Sequence, residues 1–302
     1  MTLSEFLRST YWSRPFSAVL GHPVAHSLSP KIHNAALEKW ELDVIYYAID
    51  CPEQEYSLIP ELLASPYCHG VNVTIPLKRE IMQYLDELDE SARAIGAVNT
   101  IVPKQVTLSS GTLQETTRTL LGYNTDAYGF IKPLETYKNL HTATVLGSGG
   151  ASKAVRYALK QLGVKCIYMV SRSGTIREES PQEDPLTNAT NITWISYSDL
   201  HDAVTDSQLL VNTTPVGMYP NTNSSPVSDT IYPLLRGKIC YDIIYNPLET
   251  MFLSQAKQHG AETVDGLNMF IYQASRAFEL WFHKPMPVDL VRGLVLEHIS
   301  LQ

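Results

Sequence analysis

The chain has 302 residues, 44% of them hydrophobic and 18% charged, which is enough apolar material for sizeable cores and excludes a disordered chain. A formal net charge of −8 argues against a nucleic-acid partner, so an anionic ligand must be held by local groups against a repelling global field. MTLSEFLRSTYWSRPF holds no apolar core of a signal peptide, and no stretch approaches ~18 uninterrupted apolar residues, so the expectation is a soluble cytoplasmic protein with no membrane segment. Cys51, Cys68, Cys166 and Cys240 are scattered, without CxxC or metal spacing, and are expected to be reduced, mostly buried thiols with no metal site.

From Phe16 onward strand-like and helix-like segments alternate. FSAVLG (16–21) reads as a strand, PKIHNAALEKW (30–40) as a helix and DVIYYAI (43–49) as a strand. A helix is expected over 53–64, a strand over 70–75, helical stretches over 77–95 and a strand over 97–103. The polar segment 104–119 has no core pattern and suits a hairpin excursion. The pattern restarts at 142–163 with a strand, a glycine turn and an amphipathic helix. Further strands are expected at 165–173, 208–215 and 238–245, with 174–190 the most loop-like segment. Two helices are expected over 268–300, broken at Lys284-Pro285-Met286-Pro287. This alternation predicts a largely parallel α/β architecture in two units.

Within this frame, GVNVTIPLK (70–78) alternates Val71, Val73 and Ile75 with Asn72 and Thr74, the mark of a half-buried strand. Pro76 ends the run because proline cannot continue a central ladder, and Lys78 follows at once. On its own, Lys78 reads as a solvated lysine after a strand. GHPVAHSLSPKIHNAAL places Ser27 and Ser29 ahead of Pro30, which opens a helix. Capping explains Ser29 and leaves Ser27 unexplained; the alternative is that both hydroxyls, backed by the helix dipole, hold a carboxylate.

VLGSGGASKAV sets Gly147 and Gly149 at the first two positions of the dinucleotide fingerprint, with Ser152 where a third glycine or alanine is usual. The first glycine allows the tight turn, the second lets backbone approach a pyrophosphate, and the helix start supplies amide donors. An ordinary strand–helix turn is the alternative, but the required strand-before and helix-after context is present. The next strand ends in Ser171-Arg172-Ser173 rather than the Asp or Glu expected of an NAD site. Arg172, with Arg177 as a second cation, suits a 2′-phosphate, so NADP is preferred over NAD; the alternative for Arg172 is a solvated surface arginine.

Taken together, HPVAHSLSPKIHNAAL, GVNVTIPLK, AIGAVNTI, GYNTDAYGF, VLGSGGASKAV, VNTTPVGM, YDIIYNPLET and DGLNMFIYQASRAFELW occur in the order seen in shikimate dehydrogenases, and the chain resembles that family from about Phe16 to Trp281. The resemblance implies NADPH-dependent, reversible reduction of 3-dehydroshikimate to shikimate on the route to chorismate and the aromatic amino acids. It also implies a substrate domain over 1–125, completed by helices 268–302, and a Rossmann-type dinucleotide domain over 126–267. The only partner implied is the small-molecule substrate, in a monomer or homodimer. By resemblance, Lys78 and Asp126 are the catalytic pair, Lys78 the proton donor and Asp126 its orienting partner, although Asp126 also suits a cap of the following helix. Ser27 and Ser29 match the pair on the substrate carboxylate, and Thr74, Asn99, Thr125 and Gln273 the groups on the ring hydroxyls. Tyr245 and Met269 match the junction of substrate and nicotinamide, with Gly266 in the same cofactor wall. Gly147, Ser148, Gly149, Gly150, Ala151 and Ser152 match the phosphate loop, Ser171, Arg172 and Ser173 the adenine-ribose end, and Thr213 to Met218 a segment along the cofactor.

Three departures stand out. The family's Asn-Arg-Thr is Ser171-Arg172-Ser173, its GLGML is Gly266-Leu267-Asn268-Met269-Phe270, and segment 104–119 is longer than a minimal member needs. Rival readings are a quinate/shikimate dehydrogenase using NAD or NADP, a folate-pathway dehydrogenase of related architecture, and a non-catalytic NADP- or metabolite-binding relative. A folate-pathway enzyme would not call for the paired serines, and a silent relative would not need both Lys78 and Asp126.

Overall fold

Among the described residues, apolar central strands such as β1 (Phe16–Gly21) and more polar edge strands form two six-stranded sheets, one in each of two units of the chain: Met1–Thr125 with Ala274–Gln302, and Asp126–Gln273. The computed structural model describes residues 1–110, 113–174 and 190–301.

The first unit opens with α1 (Leu3–Leu7), which buries Leu3 and Phe6 and is closed at its start by a Thr2–Glu5 capping box. It continues with β1 (Phe16–Gly21), α2 (Ser29–Lys39), β2 (Ile45–Asp50), α3 (Ile59–Ala64) and β3 (Cys68–Val73). β4 (Glu87–Leu88), α4 (Glu90–Ile95), β5 (Thr100–Ser110) and β6 (Leu113–Tyr123) complete it. The sheet order is β2-β1-β3-β5-β6-β4. β1 runs parallel to β2 and β3, β5 runs antiparallel to β3, and β5 and β6 form an antiparallel hairpin pairing Lys104 with Thr119. Every residue of β1 is buried, as expected of a central strand covered on both faces.

GVNVTIPLK departs from the half-buried strand expected over 70–75. β3 stops at Val73, and Asn72 is buried as fully as its apolar neighbours because β3 lies between β1 and β5. Ile75 lies beyond the end of β3 and is 66% exposed. Thr74 N–H donates to the Leu20 carbonyl and the Ile75 carbonyl accepts from His22 N–H, which turns residues 74–75 along the exit of β1. Leu77, fully buried, returns the chain to the core instead. The segment 77–95 is also less helical than its sequence suggests: a 3-10 turn at Glu80–Tyr84 precedes β4 and the single helix α4.

The second unit holds α5 (Thr125–Ile131, whose first residue closes the preceding unit), β7 (Thr142–Leu146), α6 (Gly150–Gln161), β8 (Cys166–Val170), β9 (Asn191–Ile195), α7 (Leu200–Asp206), β10 (Leu209–Asn212), β11 (Ile239–Asp242), α8 (Met251–Gln258) and β12 (Glu262–Val264). All five strand pairings are parallel in the order β12-β11-β10-β7-β8-β9. Counted from β7, this is the doubly wound order 3-2-1-4-5-6, whose direction reverses between β7 and β10. α9 (Leu267–Phe282) contains the boundary between the units, and α10 (Val288–Ser300) follows the break at Lys284–Pro287. Trp281 of α9 fastens the last segment to the first unit by donating its indole N–H to the Ile101 carbonyl at 2.9 Å.

All four cysteines are free, three of them buried. Among the described residues no helix is long and apolar enough to cross a membrane, and no group of His, Cys, Asp or Glu could hold a metal ion.

Candidate active site

The topology of the first unit brings its chemistry-bearing residues to one end of its sheet. Ser27 and Ser29 follow the carboxyl end of β1, and Thr74 and Lys78 follow that of β3. Asn99 precedes β5, which runs the other way, and Thr125 follows the end of β6. Ligands of open α/β sheets lie outside the carboxyl ends of parallel strands.

Lys78 is fixed through its backbone. Leu77 is in the core with its N–H bonded to the Thr74 carbonyl, and the Lys78 carbonyl accepts from Val98 N–H at 2.8 Å, one residue before Asn99. The side chain is half-buried. Asn99 and Thr125 are both buried and tied together: Thr125 N–H donates to Asn99 Oδ1 at 2.7 Å, and Asn99 Nδ2 donates to Thr125 Oγ1 at 3.0 Å. Asp126 is the next residue, in the first turn of α5.

The serine pair is arranged differently from the sequence expectation. Ser29 is the first residue of α2 rather than its N-cap, which is Leu28 and makes no side-chain cap bond. It is Ser27 whose hydroxyl accepts from the Ser29 N–H, at 3.3 Å. Pro30 explains the shift: it occupies the first turn and has no amide to be capped, so the cap moves upstream.

In the second unit the glycine turn stands at the switch between β7 and β10. Gly147 has φ +109°, a region L side chains avoid, and a Cβ there would press on Thr213 Oγ1 and Thr214. Gly149 is the N-cap of α6, with no side-chain cap bond, and a Cβ on Gly149 or Gly150 would meet open space. Ser152 is buried and donates its hydroxyl back to the Gly149 carbonyl at 2.7 Å, which braces the turn as a third small residue. Ser148 is exposed and Ala151 partly so. This is a backbone cradle opened by glycine at a helix start, and it fits a dinucleotide pyrophosphate.

Arg172 and Ser173 are exposed beyond β8 and Ser171 is buried; the Arg172 charge reaches Tyr197, where it counters part of the upward push that burial gives that phenol. Arg177 lies outside the described residues. Thr213 donates its hydroxyl to the Leu146 carbonyl at 2.6 Å, joining the end of β10 to that of β7, and Met218 is exposed on the same segment. Beneath it lies a polar knot that sequence reasoning missed. Asp242, fully buried, accepts from Asn212 Nδ2, Ile244 N–H and the Thr250 hydroxyl, while Asn212 Oδ1 accepts from Thr214. Burial raises the Asp242 carboxyl to about 6 against those three stabilising bonds. Asn212 and Asp242 stand inside VNTTPVGM and YDIIYNPLET, so the motifs held the signal although their outer residues drew the attention.

Tyr245 stacks on Phe270 with ring centres 4.5 Å apart, which is where the larger residue of the Gly266–Phe270 segment is accommodated. Gly266 and Met269 are buried beside them, and Gln273 donates its amide to the Phe270 carbonyl one turn back.

Residues 19–101 match the family model described as the shikimate dehydrogenase substrate binding domain, and residues 266–296 match that of the shikimate 5'-dehydrogenase C-terminal domain. A shikimate dehydrogenase (NADP(+)) from Nostoc sp. is 38% identical over 293 residues, covering 94% of this chain and 96% of the relative. Among solved structures, shikimate 5-dehydrogenase from Listeria monocytogenes in complex with shikimate and NAD superposes with a TM-score of 0.80 at 28% identity, covering 94% and 96% of the two chains. Quinate dehydrogenase from Corynebacterium glutamicum in complex with NAD gives 0.80 at 26% identity, covering 94% and 99%. With two family models matched in place and 38% identity held over nearly its whole length, the chain belongs to the shikimate dehydrogenase family.

Proposed function

We propose that the protein catalyses the NADP-dependent, reversible reduction of 3-dehydroshikimate to shikimate in chorismate biosynthesis, as a cytoplasmic monomer or homodimer. The first unit is the substrate domain and the second the dinucleotide domain. The observation that supports this reading is the fixed exit of β3, where the Lys78 carbonyl accepts from Val98 N–H one residue before Asn99; by its motif Lys78 resembles the family's catalytic lysine.

Bound NADPH supplies the hydride. Gly147, Ser148, Gly149, Gly150, Ala151 and Ser152 hold its pyrophosphate, Ser171, Arg172 and Ser173 the 2′-phosphate end, and Thr213, Met218, Gly266 and Met269 line its path. Ser27 and Ser29 receive the ring carboxylate; Thr74, Asn99, Thr125 and Gln273 orient the ring hydroxyls, and Tyr245 packs at the reacting face. As the ketone gains alkoxide character, Lys78 gives it a proton and Asp126 orients the lysine. A positioned acid/base group contributes ~10²–10⁴-fold.

The test is steady-state NADPH oxidation with 3-dehydroshikimate in the wild type and in Lys78→Ala. The expected result is ready turnover in the wild type and a kcat lowered ~10²–10⁴-fold in the variant, with KM for substrate within a few-fold. A Lys78→Ala kcat close to that of the wild type removes the lysine from the chemistry. A wild type that prefers quinate with NAD replaces the substrate reading by the quinate one.

A further inference from the structure

Below the polar end of the first sheet runs a buried chain of hydrogen bonds whose middle member has no role in the reaction as proposed. Tyr46, on edge strand β2, is 2% exposed and gives its phenol proton to Asn72 Oδ1 at 2.8 Å. The Asn72 amide donates to the Asn99 carbonyl at 3.2 Å and to Thr100 Oγ1 at 3.1 Å. Thr100 in turn donates to Asn99 Oδ1 at 3.0 Å, the same oxygen that receives the Thr125 N–H. Burial pushes the phenol well above its usual range, and the nearby Ser29 side chain counters part of that push.

The donors leave little freedom. Both amide protons of Asn72 are used, so its Oδ1 must accept, and the tyrosine must give it its only proton. The phenol oxygen keeps its lone pairs for a second donor. Tyr46 is itself clamped to α2: its N–H donates to Asn34 Oδ1 at 2.8 Å and its carbonyl accepts from Asn34 Nδ2 at 2.9 Å. The His33 ring lies flat on the phenol, 4.3 Å between centres and 5° from parallel, which fixes the plane of the ring. Buried networks of this kind hold their members in one geometry only while every member is satisfied.

We propose that Tyr46 is a positioning residue, the link through which Ser29 at the start of α2 and the Asn99–Thr125 pair are held in one frame for a cyclic hydroxy acid carrying a carboxylate. The inference rests on the proposed carboxylate role of Ser29 and ring-hydroxyl roles of Asn99 and Thr125. Without the phenol hydroxyl, Asn72 Oδ1 loses its donor, Ser29 loses its neighbour, and the two halves of the substrate frame are set independently.

The experiment is a double-mutant cycle on Tyr46→Phe and Ser29→Ala, with KM and kcat measured for both substrates. Tyr46→Phe keeps the stacked ring and is expected to raise KM for 3-dehydroshikimate about tenfold, with KM for NADPH and kcat changed by less than about threefold. The double variant is expected to lose less than the product of the two single losses, because Tyr46 acts partly through Ser29. Thr100→Val breaks the same chain one link further on and is expected to raise the same KM; it carries the test should Tyr46→Phe not fold. A normal loss in Ser29→Ala with wild-type KM in Tyr46→Phe, or a cycle whose losses multiply, overturns the role of Tyr46. An unchanged KM in Ser29→Ala overturns the carboxylate reading and this inference with it. Equal damage to KM for both substrates together with a lower melting temperature would mean a merely structural tyrosine.

Discussion

At the residue scale, the proposed NADP preference makes Arg172 the first residue to test. It is exposed at the end of β8, and no carboxylate stands in the Ser171-Arg172-Ser173 turn to repel a 2′-phosphate. A charge-assisted bond at such an exposed place is worth about 1.5 kcal/mol, the low end of its range, which is roughly tenfold in affinity. Arg172→Ala is therefore expected to raise KM for NADP about tenfold and to leave KM for NAD within about twofold. Parallel titrations with the two cofactors check this; an equal loss for both would make Arg172 an adenine contact without selectivity. Arg172 could be singled out in the sequence because the fingerprint fixes where the side chain proposed to discriminate must stand. Asn72 was not, because alternation in GVNVTIP reports polarity and not which face is covered, and a central strand buries both. Ser27 and Ser29 were legible as a pair, but which of them serves the helix amide depended on Pro30, a detail of backbone geometry.

At the element scale, segments carrying a run of apolar residues or a glycine turn were found in place, short strands included, and the elements missed were all short. β1, β3, β7, α2, α6 and the two C-terminal helices stand close to their expected positions, and the hairpin of β5 and β6 fills the polar segment 104–119. The sequence reading passed over α1, β9, α7, α8 and β12, each of eight residues or fewer, which gives periodicity little to work with. One close approach between elements affects the site of the second unit. Gly129, inside α5, faces the first turns of α9, where an added Cβ would press on the Met269 carbonyl and on Gln273. Gly129→Ala must therefore push apart the helix that carries both candidate ligands, although alanine by itself favours helix. Overpacking of this kind costs about 1–3 kcal/mol. The expected outcome is a lowered urea midpoint and a kcat/KM reduced at least about tenfold. If the variant keeps wild-type kcat/KM, the position of α9 does not govern the site.

At the scale of the whole molecule, two buried titrating groups, one in each unit, give acid stability opposite signs. His33 is 1% exposed, and its ring nitrogens have no hydrogen-bond partner among the described residues. Burial lowers its pKa from 6.5 to about 3. Below 6.5 the unfolded chain takes up a proton that the folded one refuses, so this group costs nothing near neutrality and removes about 2 kcal/mol by about pH 5. Asp242 works the other way. Its carboxyl is raised from 3.8 to about 6, so between those values the folded state binds the extra proton. The cost of burying its charge is full above pH 6, and about 1–2 kcal/mol of it is recovered on reaching about pH 5. The two changes nearly cancel, so stability with respect to these groups should be almost flat from about pH 7.5 to about pH 5. Removing either one uncovers the other. His33→Phe keeps a stacked ring and should make the protein gain about 1–2 kcal/mol over that interval, whereas Asp242→Asn should make it lose about 2 kcal/mol. Urea unfolding of the wild type and both variants at the two pH values measures this directly. Should the units unfold in separate transitions, the first-unit midpoint is expected to fall on acidification while the second-unit midpoint rises. Midpoints that move together in all three proteins would mean that neither group titrates as its burial requires.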